Sequence, residues 1–210
     1  KNNNAVDIVC AKVTGLIPFA ILEKLHLQEM LTEDEKGMYE KFKERIYGIA
    51  QLAHENDVSL FVDAEESWIQ QPLDDLTFDL MSKYNKKKPI IYNTVQLYRK
   101  DRLQFFKNVV NRAKDAGFIY AAKLVRGAYM EKEGKRAKKL KYENPIQSSK
   151  EDTDKDYNEA VKFAIENIAA VAVCVATHNE QSTLLATQLM QKKNLAHHHP
   201  HMHFSQLYSM

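Results

Sequence analysis

Short apolar runs alternate with longer amphipathic stretches along this chain, and no other feature restricts its fold as much. The runs are Val6 to Val13, Val58 to Val62, Pro89 to Tyr92, Phe118 to Val125, Ala170 to Ala176 and Met202 to Leu207. All are rich in β-branched or aromatic residues, as strands buried on both faces are. Helical patterns lie between them. Thr32-Glu33-Asp34-Glu35 reads as a capping box, and Met38, Phe42, Ile46, Ile49 and Leu52 follow on one face. Pro72 opens a second helix whose stripe is Leu73, Leu76, Leu80 and Tyr84. Leu103, Phe106, Val110 and Ala113 make a third, which Gly117 stops. Val161, Ala164, Ile165 and Ile168 make a fourth, and Leu184, Leu185, Ala186 and Leu189 a fifth.

Alternating strands and helices predict a parallel α/β sheet covered by helices, either an open doubly wound sheet or a barrel. The chain has only six glycines and no Gly-rich strand-to-helix turn, which speaks against an open nucleotide-binding sheet. A complete (βα)8 barrel takes about 250 residues. Here 210 residues carry six expected strands, and the sequence stops just after the sixth. The expectation is one domain over 1–210, part of a barrel incomplete at its C-terminal end, with the last strand and helix absent. Glu143 to Asp156 is expected as the longest loop.

A 44% hydrophobic and 28% charged composition suits a soluble globular domain. A net charge of +2 is too mild to make nucleic acid the main partner. No apolar run is long enough to cross a bilayer, and the polar opening Lys1 to Asn4 has no signal-peptide pattern. Cys10 and Cys174 lack CxxC spacing and lie in apolar runs, so both are expected to be buried reduced thiols of an intracellular protein.

In a parallel barrel the active site lies at the C-terminal ends of the strands. Polar residues follow every apolar run here: Lys12 and Thr14; Asp63, Glu65 and Glu66; Asn93, Thr94 and Gln96; Lys123, Arg126 and Tyr129; Thr177, His178, Asn179 and Glu180; Ser205, Gln206 and Tyr208. Lys12 and Lys123 sit within apolar runs, where an ammonium needs a carboxylate, and Asp63, Glu65 and Glu66 are the natural partners. A ring of paired charges and amides at one mouth suits a polar, charged ligand.

Five of these segments resemble, in order, the strand motifs of proline dehydrogenases: Phe61 to Glu66, Tyr92 to Tyr98, Lys123 to Tyr129 (KLVRGAY), Ala176 to Glu180 and Phe204 to Tyr208. The resemblance runs from about Asp7 to Met210 and is nearer to the monofunctional enzymes than to the bifunctional ones. It implies a distorted (βα)8, TIM-like barrel with FAD across the strand ends. It implies oxidation of L-proline to Δ1-pyrroline-5-carboxylate by hydride transfer to the flavin, with electrons passed to a membrane quinone. The catalytic residues implied are Lys12, Asp63, Lys123 and Tyr129. Lys123 is expected near flavin N5, Gln96 at the isoalloxazine edge, and Thr177, His178 and Asn179 along the ribityl-to-adenosine side. Arg126, Gly127 and Ala128 are expected to continue that wall. Ala128, Tyr129 and Leu207 are expected at the proline ring. Lys12, paired with Asp63, is expected to help hold the substrate carboxylate.

The chain departs from the family at Ser209, where the family usually has Gly, and the family's adjacent arginine pair on its last helix lies beyond Met210. Two readings of the residues alone remain beside these roles: Lys12 and Asp63 as a purely structural ion pair, and Glu65-Glu66 as a general acid and base. Adjacent strand residues point to opposite faces, which weakens the second. The histidines from His197 to His203 lack an Asp, Glu or Cys ligand set and read as a solvated loop, so no metal is assigned. Lys132, Lys135, Arg136, Lys138, Lys139 and Lys141 read as a solvated helix face or as a contact with anionic lipid or the FAD pyrophosphate. Competing functions are hydroxyproline oxidation, an inactive relative serving as a binding module, and a basic nucleic-acid-binding domain. An intracellular place is expected, since a bacterial cytoplasm, with or without membrane association, and a mitochondrial matrix or inner membrane both fit the lack of a signal pattern.

Overall fold

The computed structural model describes residues 6–208, so the departure at Ser209 lies outside the described residues. The chain forms two compact units, Lys1–Asn93 and Thr94–Met210.

The first unit opens with β1 (Ile8–Lys12), a 3-10 turn (Val13–Gly15), α1 (Phe19–His26) and α2 (Glu33–Glu55). It continues with β2 (Ser59–Asp63), a second 3-10 turn (Ser67–Ile69), α3 (Gln70–Tyr84) and the start of β3 (Ile91–Gln96). β1 pairs parallel with β2 from Ile8 opposite Ser59 to Lys12 opposite Asp63, and β2 pairs parallel with β3. The predicted capping box forms. The Thr32 hydroxyl accepts from the Glu35 N–H, and the Glu35 carboxylate accepts from the Thr32 N–H. The buried face of α2 is Phe42, Ile46, Ala50 and Ala53, whereas Met38 and Leu52 are exposed. The large residues Phe42 and Ile46 carry the first half of that face and the alanines Ala50 and Ala53 the second, so the stripe departs from the expected one at its two ends. The α3 stripe of Leu73, Leu76, Leu80 and Tyr84 is buried as expected. Pro72 falls in the first helical turn, where no N–H is required of it.

β1 is not buried on both faces. Val9 and Cys10 are exposed, because among the described residues β1 pairs only with β2. The expectation of two buried thiols therefore holds for Cys174 and fails for Cys10. Lys12, expected inside an apolar run, is exposed for the same reason.

The second unit holds the end of β3, α4 (Arg102–Asp115), β4 (Tyr120–Val125), α5 (Met130–Leu140), α6 (Lys150–Glu166), β5 (Val171–Ala176), α7 (Glu180–Lys192) and β6 (Met202–Ser205). β4, β5 and β6 pair in parallel, with Lys123 opposite Cys174 and Cys174 opposite His203. Gly117, at φ 70°, ends α4 and donates its N–H to the Lys114 carbonyl. The predicted loop is shorter than expected. Ser149 caps α6 by accepting from the Asp152 N–H, so 150–156 are helical. α7 buries Ser182, Ala186 and Met190 and leaves Leu184 exposed, so its core stripe is rotated from the leucine pattern.

Strand order is β1-β2-β3-β4-β5-β6. Sequential order without reversal is the order of a (βα) barrel and not of a doubly wound sheet, whose order turns back at a switch point.

Candidate functional site

In the first unit the strand ends are set by the β1–β2 register. Lys12 and Asp63 are Cα partners, so both side chains leave the same face of the sheet. The next residues back on that face of β2 and β3 are Phe61 and Tyr92, also register partners, whose rings lie 4.4 Å apart. Apolar packing thus ends where charge begins. Two residues beyond the Lys12–Asp63 pair, the Glu65 carboxylate accepts from the Thr14 N–H at 3.2 Å and from its hydroxyl at 2.9 and 2.8 Å. Glu65 is 6% exposed. Asn93, expected among the residues at the mouth, turns instead toward α3. Its amide donates to Asp74 Oδ1 at 2.8 Å, and Gln70 donates to the same oxygen at 3.0 Å.

In the second unit the strand ladder runs past the ends of β3 and β4. The Leu97 N–H donates to the Val125 carbonyl at 2.8 Å and the Tyr98 N–H to the Arg126 carbonyl at 2.7 Å. This brings Gln96 beside the end of β4. Gln96 is 3% exposed, so its side chain is largely enclosed beside the end of β4. A primary amide at a strand end can offer one donor and one acceptor group to a ligand with matching polar atoms. Lys123 lies half-buried on the face of the sheet that also carries Cys174, His203 and Ser205. Cys174 Sγ and Ser205 Oγ are 3.2 Å apart on that face. The alternate residues of the central strands, Leu124 and Val175, are fully buried on the opposite face.

Arg126 ties three elements together. Its Nε donates to Asp154 Oδ1 at 2.6 Å, Nη1 to Thr177 Oγ1 at 2.7 Å and Nη2 to Ser182 Oγ at 3.0 Å. The guanidinium lies over the Tyr157 ring at 4.4 Å. Partial burial pushes the Asp154 carboxyl up, but hydrogen bonds from Lys150 and Arg126 outweigh it and hold Asp154 below the usual carboxylate value. Burial raises the Tyr157 hydroxyl, which donates to the Leu124 carbonyl at 3.3 Å. Thr177 Oγ1 accepts twice, from Arg126 and from the Asn179 N–H at 3.0 Å. Its own hydrogen must therefore point elsewhere, and no acceptor for it occurs among the described residues.

Gly127 has φ 142°, and a Cβ there would come within 2.4 Å of the Tyr98 ring. The turn after β4 therefore needs glycine. Ala128 is exposed and Tyr129, half-buried with Lys132 Nζ 5.3 Å from its ring centroid, leads into α5. Asn179 serves as the N-cap of α7 and accepts from the Ser182 N–H at 3.0 Å. His178 is exposed, and Leu207, 68% exposed, lies past the end of β6. β6 starts at Met202, so His201 and His203 do not share a strand face. His201 Nδ1 instead meets the Ile168 carbonyl at 2.7 Å. Among the described residues no three His, Cys, Asp or Glu side chains are grouped to hold a metal ion, and no helix is long and apolar enough to cross a membrane.

Sequence reasoning missed Asp154, Tyr157 and Ser182 as the partners of Arg126, and the Thr14–Glu65 contact. The first three lie on helices, in patterns that look like ordinary polar or core positions. The only sequence signal for Ser182 was its place three residues after Asn179, an N-cap spacing.

Residues 6–210 match the family profile described as Proline dehydrogenase. The chain is 35% identical over 195 residues to "Proline dehydrogenase 1, mitochondrial" of Dictyostelium discoideum, covering 90% of this chain and 34% of that protein. It is 35% identical over 189 residues to the protein of the same name from Caenorhabditis elegans, covering 88% of this chain and 31% of that one. The chain thus spans about a third of the length of these curated relatives. Its fold matches a crystal structure of proline utilization A (PutA) from Bdellovibrio bacteriovorus inactivated by N-propargylglycine, with a TM-score of 0.82 and 22% identity over 96% of this chain and 20% of that one. On the family match over nearly its whole length, this chain belongs to the proline dehydrogenase family.

Proposed function

We propose that this chain is the catalytic barrel portion of a flavin-dependent enzyme that oxidises L-proline to Δ1-pyrroline-5-carboxylate. The observation that carries the reading is the family match over residues 6–210, supported by the largely enclosed Gln96 side chain next to the end of β4 that bears the KLVRGAY segment. FAD, when bound, supplies the redox chemistry by taking a hydride from the proline carbon next to nitrogen. The residues fit such a group. Gln96 offers both a donor and an acceptor to a ring edge, and the outward hydrogen of Thr177 offers a donor to an oxygen. Arg126 orients that donor and sets the turn containing Gly127 and Ala128. Lys123 supplies a cation that favours negative charge on the reduced ring. His178 and Asn179 extend the same wall.

Lys12 supplies a charge opposite to the substrate carboxylate, and Asp63 beside it keeps the ammonium in place. Ala128, Tyr129 and Leu207 supply apolar contact for the proline ring. Electrons leave the reduced flavin for a quinone, and the basic residues of α5 suit the anionic surface of a membrane that holds it. The compartment proposed is the mitochondrial matrix side of the inner membrane, or a bacterial cytoplasm.

The test is an anaerobic titration of the protein, supplied with FAD, with L-proline while flavin absorbance is followed. Bleaching by L-proline and not by D-proline is expected, with hydroxyproline run beside them to set the preference. A flavin that binds and is not bleached, or no flavin binding, overturns the reading.

A further inference from the structure

Glu65 is a carboxylate more than nine-tenths buried, two residues past the end of β2. Among the described residues its hydrogen bonds all come from one residue, Thr14, two residues past the end of β1. Among the described residues it has no cationic partner. Burying a carboxylate with so few donors is costly, and a merely structural contact would be served as well by apolar packing. The arrangement has a positional effect that packing would not have. Val13, between Lys12 and Thr14, is fully buried, so the chain on the far side of Lys12 is pinned twice, by Val13 in the core and by Thr14 on Glu65. The 3-10 turn that starts at Val13 adds bonds from the Leu16 and Ile17 N–H groups to the Val13 carbonyl. Phe19, at the start of α1, meets Trp68 edge-on at 6.4 Å, a second tie between the same two strand-end segments. Lys12 itself is exposed and carries a long flexible side chain. Its ammonium can be held at one place only if the backbone beneath it is held.

We propose that Thr14 and Glu65 form a latch whose work is to position Lys12 over its register partner Asp63, so that the site selects ligands bearing a carboxylate. Both are positioning residues, and the inference rests on the proposed function, which gives Lys12 a carboxylate to hold. Because the latch acts through Lys12, its loss should weaken carboxylate ligands and spare the same ring without the carboxylate.

The test compares equilibrium binding, by calorimetry on the flavin-loaded protein, of two five-membered rings that differ in that group. One is a ring-oxygen analogue of proline, which keeps the carboxylate and cannot reduce the flavin. The other is pyrrolidine, which lacks it. Thr14→Val should weaken the carboxylate ligand about tenfold and pyrrolidine less than twofold, since a hydrogen bond to a charged group is at stake. Thr14→Ser, which keeps both the hydroxyl and the N–H, should restore wild-type selectivity. Glu65→Gln should fall between them. If Thr14→Val weakens both ligands equally, or changes only the melting temperature, the latch is structural and the inference fails. If the wild-type protein itself does not favour the carboxylate ligand, the role given to Lys12 fails first, and the latch's positioning role with it. Loss of flavin binding in the wild type overturns the proposed function instead.

Discussion

At the scale of single residues, Gly127 bears the sharpest constraint in the second unit. Its φ of 142° is a conformation that side chains avoid, and the Tyr98 ring occupies the space that a Cβ would take. Gly127→Ala should therefore cost about 3 kcal/mol, from backbone strain together with a ring that must shift. Thermal unfolding checks the stability, and flavin retention on gel filtration checks the site, which should be lost even where the protein still folds. The motif in the sequence pointed to Gly127, but its reason was not legible there, because Tyr98 meets it only through the ladder continuing past β3 and β4. Lys12 and Asp63 were legible as a pair, and the register places them opposite one another. Cys10 was misjudged because an apolar run does not reveal that the strand carrying it has a neighbour on one side only among the described residues.

At the scale of elements, Arg126 links the end of β4 to α6 through Asp154 and to the start of α7 through Ser182. Asp154 is shared, since Lys150 also donates to it from one turn earlier on α6. The folded-state pKa of Asp154 lies below its ordinary value, so the stability it contributes is present above that ordinary value. That contribution is lost as pH falls through the lower folded value. Asp154→Asn should reduce stability near neutral pH by about 1–2 kcal/mol, and the mutant's disadvantage should shrink on acidification. Denaturant melts at pH 7 and at pH 3 test this, and an equal deficit at both would show that the charge is not what matters. Helix existence was mostly legible from periodicity. Helix faces were less so, because small residues such as Ala50, Ala53, Ser182 and Ala186 take buried positions while some larger apolar ones, Met38, Leu52 and Leu184, stay outside. The start of α6 was hidden because Lys150 to Asp156 is polar throughout, and only the Ser149 cap marks it.

At the scale of the whole molecule, strand number and parallel pairing were legible because buried strands and amphipathic helices alternate with distinct periods, whereas the sequential strand order followed only from the family resemblance. What lies opposite a given side chain was not, because register and helix rotation are set by packing between segments far apart in sequence. The Gln96 amide is the clearest case of a local feature with a global effect. A largely enclosed polar side chain adds less to the stability of the entire cooperative unit than an apolar one of similar size would. Gln96→Leu should thus melt about 3 °C higher than the wild type before flavin is added. It should then gain less than the wild type when FAD is supplied, so that calorimetric scans of the two proteins with and without FAD cross over. A wild type that already melts higher without FAD would contradict this. Evolution of such a chain toward greater robustness would therefore run against the cofactor binding proposed for it: the substitution easiest to gain by selection for stability alone is one that closes the site.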